Sequence, residues 1–301
     1  MCDIVVIGGG PAGMTAALYA ARAGKKVMML EENAFGGQIA TAPRVENFPS
    51  VQEIVGAELA DKMFGQATAH GVDFDMGHGV VEKSENGFKV TTEYGEFCCK
   101  AVVLATGVSH KTLGLESEKR LAGNGVCYCA VCDGAFYRDK NVVVVGDGNS
   151  AAQYALYLAE ICNTVQLLTL FDKLFCDNEL TQRIVANEKI RWEKNVSVCE
   201  ILGENSVQGV AYKDADGAIT YQDADAVFVA IGQQPHNQDF ANLVALDEKG
   251  YVVAGEDCKT SCPGVFVAGD ARTKNVRQCT TAVGDGAVAG FSAAMFVDNA
   301  K

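Results

Sequence analysis

Runs of aliphatic residues of the kind found in protein interiors alternate along the chain with glycine turns and alanine-rich segments of helical period. The first unit of this pattern has an apolar strand over residues 3–7, a helix over 14–23 and a second strand over 27–30. Strands that read as continuous apolar runs are typical of parallel sheets, whose two faces are both covered. The pattern therefore predicts that the chain opens with a βαβ unit.

The same unit is repeated in the second half of the chain. An apolar strand over 141–145 leads through a second glycine turn into a helix over 152–162 and a strand over 165–168. This internal duplication predicts an α/β fold with two Rossmann-like dinucleotide-binding domains. The other predicted elements are an amphipathic helix over 54–71, a turn at Asn86-Gly87, a helix over about 280–296, and strands around Phe74, 80–81, 88–92, Phe97, 101–104, 226–231 and 264–268. The second domain continues through residues 190–201 and 207–213.

The glycine turn of the first unit has the spacing of a dinucleotide site. In Gly8-x-Gly10-x-x-Gly13 the missing side chains let the backbone approach a pyrophosphate at the helix N-terminus, where unpaired N–H groups favour negative charge. Glu31 ends the second strand, where an acidic side chain accepts hydrogen bonds from an adenosine ribose. The strand–turn–helix–strand context makes the pattern a specific signal.

Two later strands end in turns of a related type. Ala105-Thr106-Gly107 follows the strand over 101–104, and Gly269-Asp270 follows the strand over 264–268. An acid at the carboxyl edge of a parallel sheet can bind a cofactor hydroxyl. The alternative is that Asp270 only caps the turn that follows it.

The composition narrows the class of protein. The chain has 301 residues, of which 49% are hydrophobic and 21% are charged, as in soluble α/β proteins with room for two domains. A net charge of −13 without a basic stretch argues against a nucleic-acid partner. The N-terminus has no basic leader and no apolar run approaches the length of a membrane span, so we expect a cytoplasmic protein without a membrane partner.

The most specific chemical signal is the stretch from Cys127 to Gly134. Cys129 and Cys132 have two residues between them, a spacing that closes a small disulfide ring and lowers the pKa of one thiol. Asp133 follows directly, so a carboxyl group is available to exchange a proton with a sulfur. The alternative is a structural zinc site that includes Cys127, but such a site usually needs a fourth ligand from a second spaced pair. We therefore expect a redox pair and no metal.

Taken together, these motifs resemble the low-molecular-weight thioredoxin reductases over nearly the whole chain. The segments that carry the resemblance are the first glycine motif, Gly36-Gly37-Gln38, Glu46-Asn47-Phe48-Pro49, Ala105-Thr106-Gly107, Cys129 to Gly134, and Gly269-Asp270 with Arg277-Gln278. The resemblance implies a homodimer that binds FAD and reduces thioredoxin. It also implies an FAD-binding domain of three-layer ββα type over 1–112 and 236–301, into which an NAD(P)H-binding-like domain over 113–235 is inserted with the disulfide.

The resemblance also assigns roles to single residues. It implies that Cys132 receives electrons from the flavin, that Cys129 attacks the partner disulfide and that Asp133 supplies the proton, whereas Cys127 matches no family function. The residues implied to contact FAD are Gly8, Gly10, Pro11, Ala12 and Gly13 at the pyrophosphate turn, Glu31 and Glu32 near the ribose, Asp270 at the ribityl chain or phosphates, Gln38, Asn47, Thr106, Gln278 and Cys279 at the flavin, and Gly37, Val80, Ala105, Gly107, Gly269 and Arg277 elsewhere along the cofactor.

The second nucleotide site departs from the family pattern. Relatives that use NADPH carry a His-Arg-Arg run and a further Arg at the end of the strand after the second glycine turn, which binds the 2′-phosphate. Here the segment from Leu168 to Phe175 contains one cation, Lys173, and Asp172 lies too late to serve an NADH ribose. The chain thus resembles the subgroup whose FAD is reduced by ferredoxin. The alternatives are an NAD(P)H-dependent enzyme with a degenerate site and a flavin-based redox sensor or binding module; the ferredoxin–NADP reductase branch fits less well.

Overall fold

The computed structural model describes residues 2–42 and 44–299, and the chain in it forms two compact units. The first unit combines the N-terminal part up to Ser109 with the C-terminal part from Gln234 onward. The second unit, His110–Gln233, is a continuous insertion between these two parts. The chain passes between the units along two short strands that pair with each other, β8 (Val108–His110) and β17 (Gln233–Pro235).

The remaining elements follow in chain order. The strands of the described residues are β1 (Ile4–Ile7), β2 (Val27–Glu31), β3 (Asp73–Met76), β4 (Val80–Ser84), β5 (Gly87–Thr92), β6 (Gly95–Cys99), β7 (Ala101–Leu104), β9 (Val126–Cys127), β10 (Asn141–Val145), β11 (Thr164–Leu168), β12 (Ile190–Glu193), β13 (Ser197–Leu202), β14 (Gly209–Lys213), β15 (Ile219–Asp223), β16 (Ala226–Val229) and β18 (Val265–Val267). The α-helices are α1 (Pro11–Arg22), α2 (Gly56–Ala69), α3 (Glu116–Leu121), α4 (Ala130–Asp133), α5 (Asn149–Ile161), α6 (Asn178–Val185) and α7 (Cys279–Asn299). Short 3₁₀ helices are Gly37–Thr41, Gly134–Tyr137, Gln238–Phe240 and Gly269–Ala271.

The first unit is built in three layers around a parallel sheet. Its strand order is β18-β7-β1-β2-β3, and every neighbouring pair is parallel. Along β1 the side chains alternate between two cores. Ile4 and Val6 belong to the core that contains residues of α1 and α7, and Val5 and Ile7 belong to the core shared with the antiparallel sheet β4-β5-β6. Both faces of the sheet are therefore covered, which explains its uninterrupted apolar strands.

The second unit repeats this architecture. Its parallel sheet has the order β12-β11-β10-β16-β9. Val142 and Val144 of β10 pack with α5, whereas Val143 and Val145 pack with the antiparallel sheet β13-β14-β15. The predicted α/β fold with two dinucleotide-binding-type sheets is confirmed.

Several element boundaries differ from the sequence prediction. Helix α1 begins at Pro11 rather than at residue 14, because a proline at the first helical position lacks an N–H that would be unpaired there in any case. Helix α5 begins at Asn149, three residues earlier than predicted. Its first two residues, Asn149 and Ser150, are polar residues of the kind that favour the start of a helix over its middle. The predicted strand over 226–231 ends at Val229.

Helix α7 has 21 residues and a mean hydropathy of 1.2, enough by length and composition to cross a membrane. No run of that kind was expected from the sequence. A buried core helix passes the same test, and α7 packs along α1 with small residues at the contact. A β-carbon on Gly286 would lie 2.3 Å from the Ala12 carbonyl oxygen, and one on Gly290 would lie 2.2 Å from that of Ala16. The two backbones approach this closely only because side chains are absent.

We therefore expect Gly290→Ala to destabilise the protein by about 1–3 kcal/mol, since the added methyl group forces α7 away from α1. Gly284→Ala is the matched control, because Gly284 is exposed on the same helix and no atom lies within 4 Å of the place that a β-carbon would occupy there. Helix propensity predicts that this control gains about 0.5–1 kcal/mol. Urea unfolding followed by circular dichroism measures both, and equal stabilities of the two variants would contradict the close packing.

Candidate functional site

The disulfide lies on the single turn of helix α4. Cys129 and Cys132 are bonded, with their Cα atoms 5.3 Å apart, which confirms the expected pair. Cys129 is the N-cap residue of α4, and its sulfur accepts a hydrogen bond from the backbone N–H of Cys132 at 3.2 Å. Val131 between them is half exposed. A disulfide at a helix N-terminus with an exposed neighbour is suited to exchange with another protein, because the N–H groups stabilise a thiolate.

Asp133 supplies a carboxyl group beside this disulfide. Its backbone N–H donates to the Cys129 carbonyl at 3.0 Å, which fixes the residue at the end of α4. Burial raises the pKa of Asp133 from its ordinary value of 3.8 to about 6. Because the charged and neutral forms are then close in energy near neutral pH, the group can both donate and accept a proton.

Cys127, the last residue of β9, is a free thiol. Its side chain is buried, and burial raises its pKa far above the ordinary value of 9.0. Its sulfur lies 3.8 Å from the Tyr137 hydroxyl. The zinc alternative would need this thiol together with Cys129 and Cys132, whose sulfurs bind each other. Within residues 2–42 and 44–299, no group of three or more His, Cys, Asp or Glu side chains is arranged to hold a metal ion.

The first glycine turn joins β1 to α1 with its backbone exposed to a ligand. Gly8 has φ +107°, and a β-carbon on Gly13 would lie 1.8 Å from the Gly8 carbonyl oxygen. These two glycines therefore allow the tight turn itself. Gly10 is different, because a β-carbon there would meet only the Cα of Gly37, 3.9 Å away. The space in front of Gly10 is open, as approach of a phosphate to the backbone requires.

Glu31 sits at the end of β2 against this turn. One carboxylate oxygen accepts the Gly9 N–H at 2.7 Å and the other accepts the Asn33 N–H at 2.9 Å. Each carboxylate oxygen has a further lone pair, so these bonds orient Glu31 without using all of its capacity as an acceptor. The neighbouring Glu32 lies 3.4 Å from Nδ1 of His78.

Asp270 has a buried carboxylate oxygen that lacks a hydrogen-bond partner in the described part of the chain. It lies in the 3₁₀ helix Gly269–Ala271 after β18, and Gly269 has φ +76°. Among the described residues no group donates to or accepts from Asp270 Oδ1, and burial raises the pKa of this carboxyl. Buried polar atoms normally have a hydrogen-bond partner. The atom is therefore well suited to a hydroxyl group of a bound cofactor.

A buried ion cluster holds the Gly269–Asp270 turn in place. Asp285 of α7 accepts the Gly269 N–H at 3.1 Å and bonds twice to the Arg272 guanidinium, at 2.9 and 2.7 Å. Lys274 donates a fourth hydrogen bond to Asp285 at 2.8 Å. Burial alone would raise the pKa of Asp285, but the bonds from Arg272 and Lys274 outweigh it and hold the pKa below its ordinary value. This cluster was not predicted from the sequence, although an acid in the middle of a helix rich in small and apolar residues was a signal for it.

Asn237 is a second residue that sequence reasoning missed. Its side chain is fully buried and accepts a hydrogen bond from the Thr106 hydroxyl at 2.7 Å. Its amide nitrogen donates to the carbonyls of Gly250 and Ala271 at 3.0 and 2.9 Å. Asn237 thus links the turn after β7 to the turn after β18. No motif in the sequence singles it out.

The other predicted contact residues occupy several elements of the same unit. Gln38 donates to the Val108 carbonyl, and Asn47 donates to Gln278 Oε1 at 3.2 Å. The Arg277 guanidinium lies 4.2 Å from the centre of the Tyr251 ring, and burial raises the pKa of Cys279, the first residue of α7, to about 11. The rest are placed as follows: Pro11 and Ala12 at the start of α1, Gly37 against Gly10 with φ +56°, Ala105 and Gly107 at the end of β7, and Val80 exposed at the start of β4.

The second glycine turn, residues 146–151, has a different environment from the first. Thr169, directly after β11, is fully buried, and its hydroxyl donates to the Phe171 carbonyl at 2.8 Å and accepts from Trp192 Nε1 at 2.9 Å. Asp147 of the turn accepts the Phe171 N–H with its side chain at 3.1 Å. Three large apolar side chains that follow are about half exposed: Leu170, Phe171 and Phe175. Apolar side chains therefore occupy the segment in which cations for the 2′-phosphate of NADPH would be expected.

The raised pKa of Asp133 predicts a pH-dependent stability. Folding favours the neutral carboxyl, so the stability that this group contributes is complete below pH 3.8 and is lost as the pH rises through about 6. We expect Asp133→Asn to match the wild type near pH 4 and to be more stable at pH 7–8 by up to about 3 kcal/mol. Chemical unfolding of the oxidised protein at several pH values measures this difference. A difference that does not change with pH would contradict the burial of an ionisable carboxyl.

Comparisons with known proteins agree with this geometry. A family model described as pyridine nucleotide-disulphide oxidoreductase matches residues 2–286. The thioredoxin reductase of Listeria monocytogenes is 39% identical over 304 residues, which cover 99% of this chain and 95% of the relative. A 34.2 kDa protein in the rubredoxin operon of Clostridium pasteurianum is 38% identical over 302 residues, which cover 98% of this chain and 97% of the relative.

A solved structure extends the similarity to three dimensions. The crystal structure of thioredoxin reductase from Streptococcus pyogenes matches with a TM-score of 0.95 and 37% identity, and the match covers 99% of both chains. The identity and coverage exceed what a shared fold alone requires. The chain therefore belongs to the pyridine nucleotide-disulphide oxidoreductase family and, within it, to the low-molecular-weight thioredoxin reductases.

Proposed function

We propose that the protein is an FAD-dependent thioredoxin reductase that takes its electrons from ferredoxin. The observation that carries the disulfide chemistry is the Cys129–Cys132 bond on a short helix, with the carboxyl of Asp133, whose pKa is raised to about 6, directly after it. A structural disulfide needs no acid of this kind, whereas exchange with a partner moves protons at every turnover.

In this proposal the first unit is the FAD-binding domain and the second is the NAD(P)H-binding-like domain that carries the disulfide. The glycine turn from Gly8 to Gly13 holds the pyrophosphate, because the space in front of Gly10 is open. Glu31 accepts hydrogen bonds from the adenosine ribose. Asp270 Oδ1, which has no partner among the described residues, accepts a hydrogen bond from a ribityl hydroxyl or from a donor near the phosphates. When bound, the flavin supplies the electron pair that reduces the disulfide.

The two cysteines then act in sequence on thioredoxin. The Cys129 thiolate attacks one sulfur of the partner disulfide, so that a mixed disulfide forms and the other partner sulfur leaves and takes up a proton. Cys132 next attacks the sulfur of Cys129, which restores the internal disulfide and releases the second partner thiol. The partner gains two electrons and two protons in total, and the internal dithiol loses the same number.

Asp133 moves the protons of these steps. It protonates a departing sulfur when neutral and accepts a proton from an attacking thiol when charged, and a pKa of about 6 keeps both forms populated near neutral pH. The nearby thiol of Cys127 does not compete as a nucleophile, since burial raises its pKa and keeps it protonated.

The environment of the second glycine turn supports a donor other than NADPH. A 2′-phosphate needs cations, and the segment offers the apolar side chains of Leu170, Phe171 and Phe175 instead. Lys173 lies 5.2 Å over the Phe175 ring. The hydroxyl of Thr169 is already used within the protein. An iron–sulfur protein can reduce a flavin by single-electron transfers, which require no nicotinamide site.

A second candidate is the same enzyme with NADH or NADPH as donor. The open geometry of the second glycine turn favours this candidate. A β-carbon on Gly148 would meet no atom within 4 Å, so the backbone there is accessible to a phosphate. A redox sensor, the candidate from another class, would change its disulfide state once and would not turn over with thioredoxin.

Oligomeric state and location are further parts of the proposal. Val288, Phe291 and Met295 form an exposed apolar row on α7, beside a groove of about 450 Å³, and we assign this surface to a homodimer. Light scattering should then show dimers for the wild type and monomers for Phe291→Asp. Ten cysteines outside the disulfide are free thiols, which supports a reducing, cytoplasmic location that cell fractionation would test.

The electron donor is tested by mixing the anaerobic yellow protein separately with NADPH, NADH, reduced ferredoxin and reduced rubredoxin. We expect the flavin absorbance to bleach with ferredoxin and not with either nucleotide, and thioredoxin thiols to appear afterwards. Rapid bleaching by NADPH or NADH would overturn the choice of donor and leave the disulfide chemistry intact.

A gain-of-function variant tests whether the apolar segment after β11, which contains Leu170, Phe171 and Phe175, is what excludes NADPH. The variant Leu170→Arg with Phe171→Arg restores two guanidinium groups, and we expect it to be bleached by NADPH. The control Ile219→Arg adds a cation at an exposed site on β15 and should not respond. An unresponsive double variant would show that the missing cations are not what excludes the nucleotide.

A further inference from the structure

Tyr128, the residue directly before Cys129, is held at three points. Its ring stacks on His110 with the ring centres 5.2 Å apart and the planes at 16°. Its hydroxyl donates to Glu118 Oε1 at 3.0 Å. Its backbone carbonyl accepts a hydrogen bond from the Tyr154 hydroxyl at 3.4 Å. The ring, the hydroxyl and the backbone are fixed together, so Tyr128 is an anchor of the segment that enters the disulfide.

The partners of Tyr128 are themselves fixed. Glu118 on α3 is 1% exposed, and its second carboxylate oxygen accepts the Gly114 N–H at 3.0 Å. Burial and the Glu118 carboxylate raise the pKa of Tyr128, so its phenol remains a donor at physiological pH. Burial lowers the pKa of His110, so the stacked imidazole is neutral. His110 is the last residue of β8 and the first of the second unit.

The disulfide segment has little regular structure of its own. Strand β9 before it has two residues, Val126 and Cys127, and helix α4 after the first cysteine has four. Helices this short are not stable by themselves. The contacts of the neighbouring Tyr128 therefore add to those of α4 in fixing the position of the Cys129 backbone.

We propose that His110, Tyr128 and Glu118 form a clamp that holds Cys129 within bonding reach of Cys132 and thereby sets the equilibrium between dithiol and disulfide. The inference rests on the proposed redox cycle, and it names positioning residues, which act on the disulfide through the backbone of Tyr128. When the disulfide opens, the clamp keeps the Cys129 thiol near its partner. Loss of the clamp gives the dithiol state more freedom, so the disulfide becomes easier to reduce.

The test is a titration of the complete FAD-loaded protein with glutathione under anaerobic conditions. In this reaction the Cys129–Cys132 dithiol loses two electrons and two protons to glutathione disulfide, which becomes two glutathione molecules. The fraction of dithiol at each ratio is measured by alkylation and peptide mass spectrometry. We expect Tyr128→Phe, which keeps the stacked ring and loses the bond to Glu118, to shift the equilibrium constant about 3- to 10-fold toward the dithiol.

Variants of His110 separate positioning from overall folding. His110→Ala should shift the equilibrium in the same direction, and His110→Phe, which restores a stacked ring, should return it to the wild-type value. A tenfold shift corresponds to about 30 mV in the two-electron potential. Tyr221→Phe on β15 is the matched control, because that tyrosine is 69% exposed and lies outside the clamp.

Equal equilibrium constants for the wild type, Tyr128→Phe and His110→Ala would overturn the clamp. Tyr128→Phe keeps the size of the side chain, so this result stays informative even where His110→Ala does not fold. Turnover with thioredoxin is measured on the same samples. A wild type that shows the glutathione equilibrium but does not reduce thioredoxin would instead contradict the proposed function.

Discussion

Close contact between backbones at positions without a β-carbon is the constraint on which the rest of the structure depends. Gly13 lies against the carbonyl of Gly8, and Gly8 lies against the carbonyl of Ala105. These contacts bring the end of β1, the start of α1 and the end of β7 together at one edge of the sheet. At the same edge α1 packs closely on α7, which carries the acid that supports the turn after β18. Side chains at these positions would separate the elements that form the candidate cofactor site.

Three aspartates with shifted pKa values show how environment assigns different tasks to one residue type. Asp285 has two cationic partners and a lowered pKa, so it is a permanent charge with a structural task. Asp270 has a raised pKa and an oxygen without a partner among the described residues, which suits a ligand hydroxyl. Asp133 has a raised pKa that burial alone explains, which suits proton transfer. Burial acts on all three, and the presence of a partner decides the outcome.

Local patterns made much of this predictable from the sequence. The glycine turns, the strand ends and the C-x-x-C pair are each encoded within a few residues, so the fold class and the disulfide could be predicted. Asn237, Arg272 and Asp285 could not, because their partners are distant in sequence and their role depends on tertiary contacts. The helix over about 280–296 was predicted, but its full length and its packing partner α1 were not, because the contact with α1 joins segments that are distant in sequence.

The apolar segment after β11 is the clearest case in which sequence and structure must be combined. The sequence indicates that the arginines of NADPH-using relatives are missing. The structure adds that the hydroxyl of Thr169 is bonded within the protein and that Asp147 binds the backbone of the following loop. Thr169 and Asp147 are thus already engaged within the protein, which the sequence alone does not reveal.

The most direct test of the account does not depend on the donor. The FAD-loaded protein is reduced by light, freed of reductant and mixed anaerobically with oxidised thioredoxin, whose new thiols are counted by alkylation and mass spectrometry. The account predicts released thioredoxin with two thiols from the wild type, and none from Cys129→Ser or Cys132→Ser even though both still hold reduced FAD; Cys132→Ser stops at the mixed disulfide between Cys129 and thioredoxin. Release of thioredoxin with two thiols from either variant would contradict it, because the electrons would then reach thioredoxin without the Cys129–Cys132 pair.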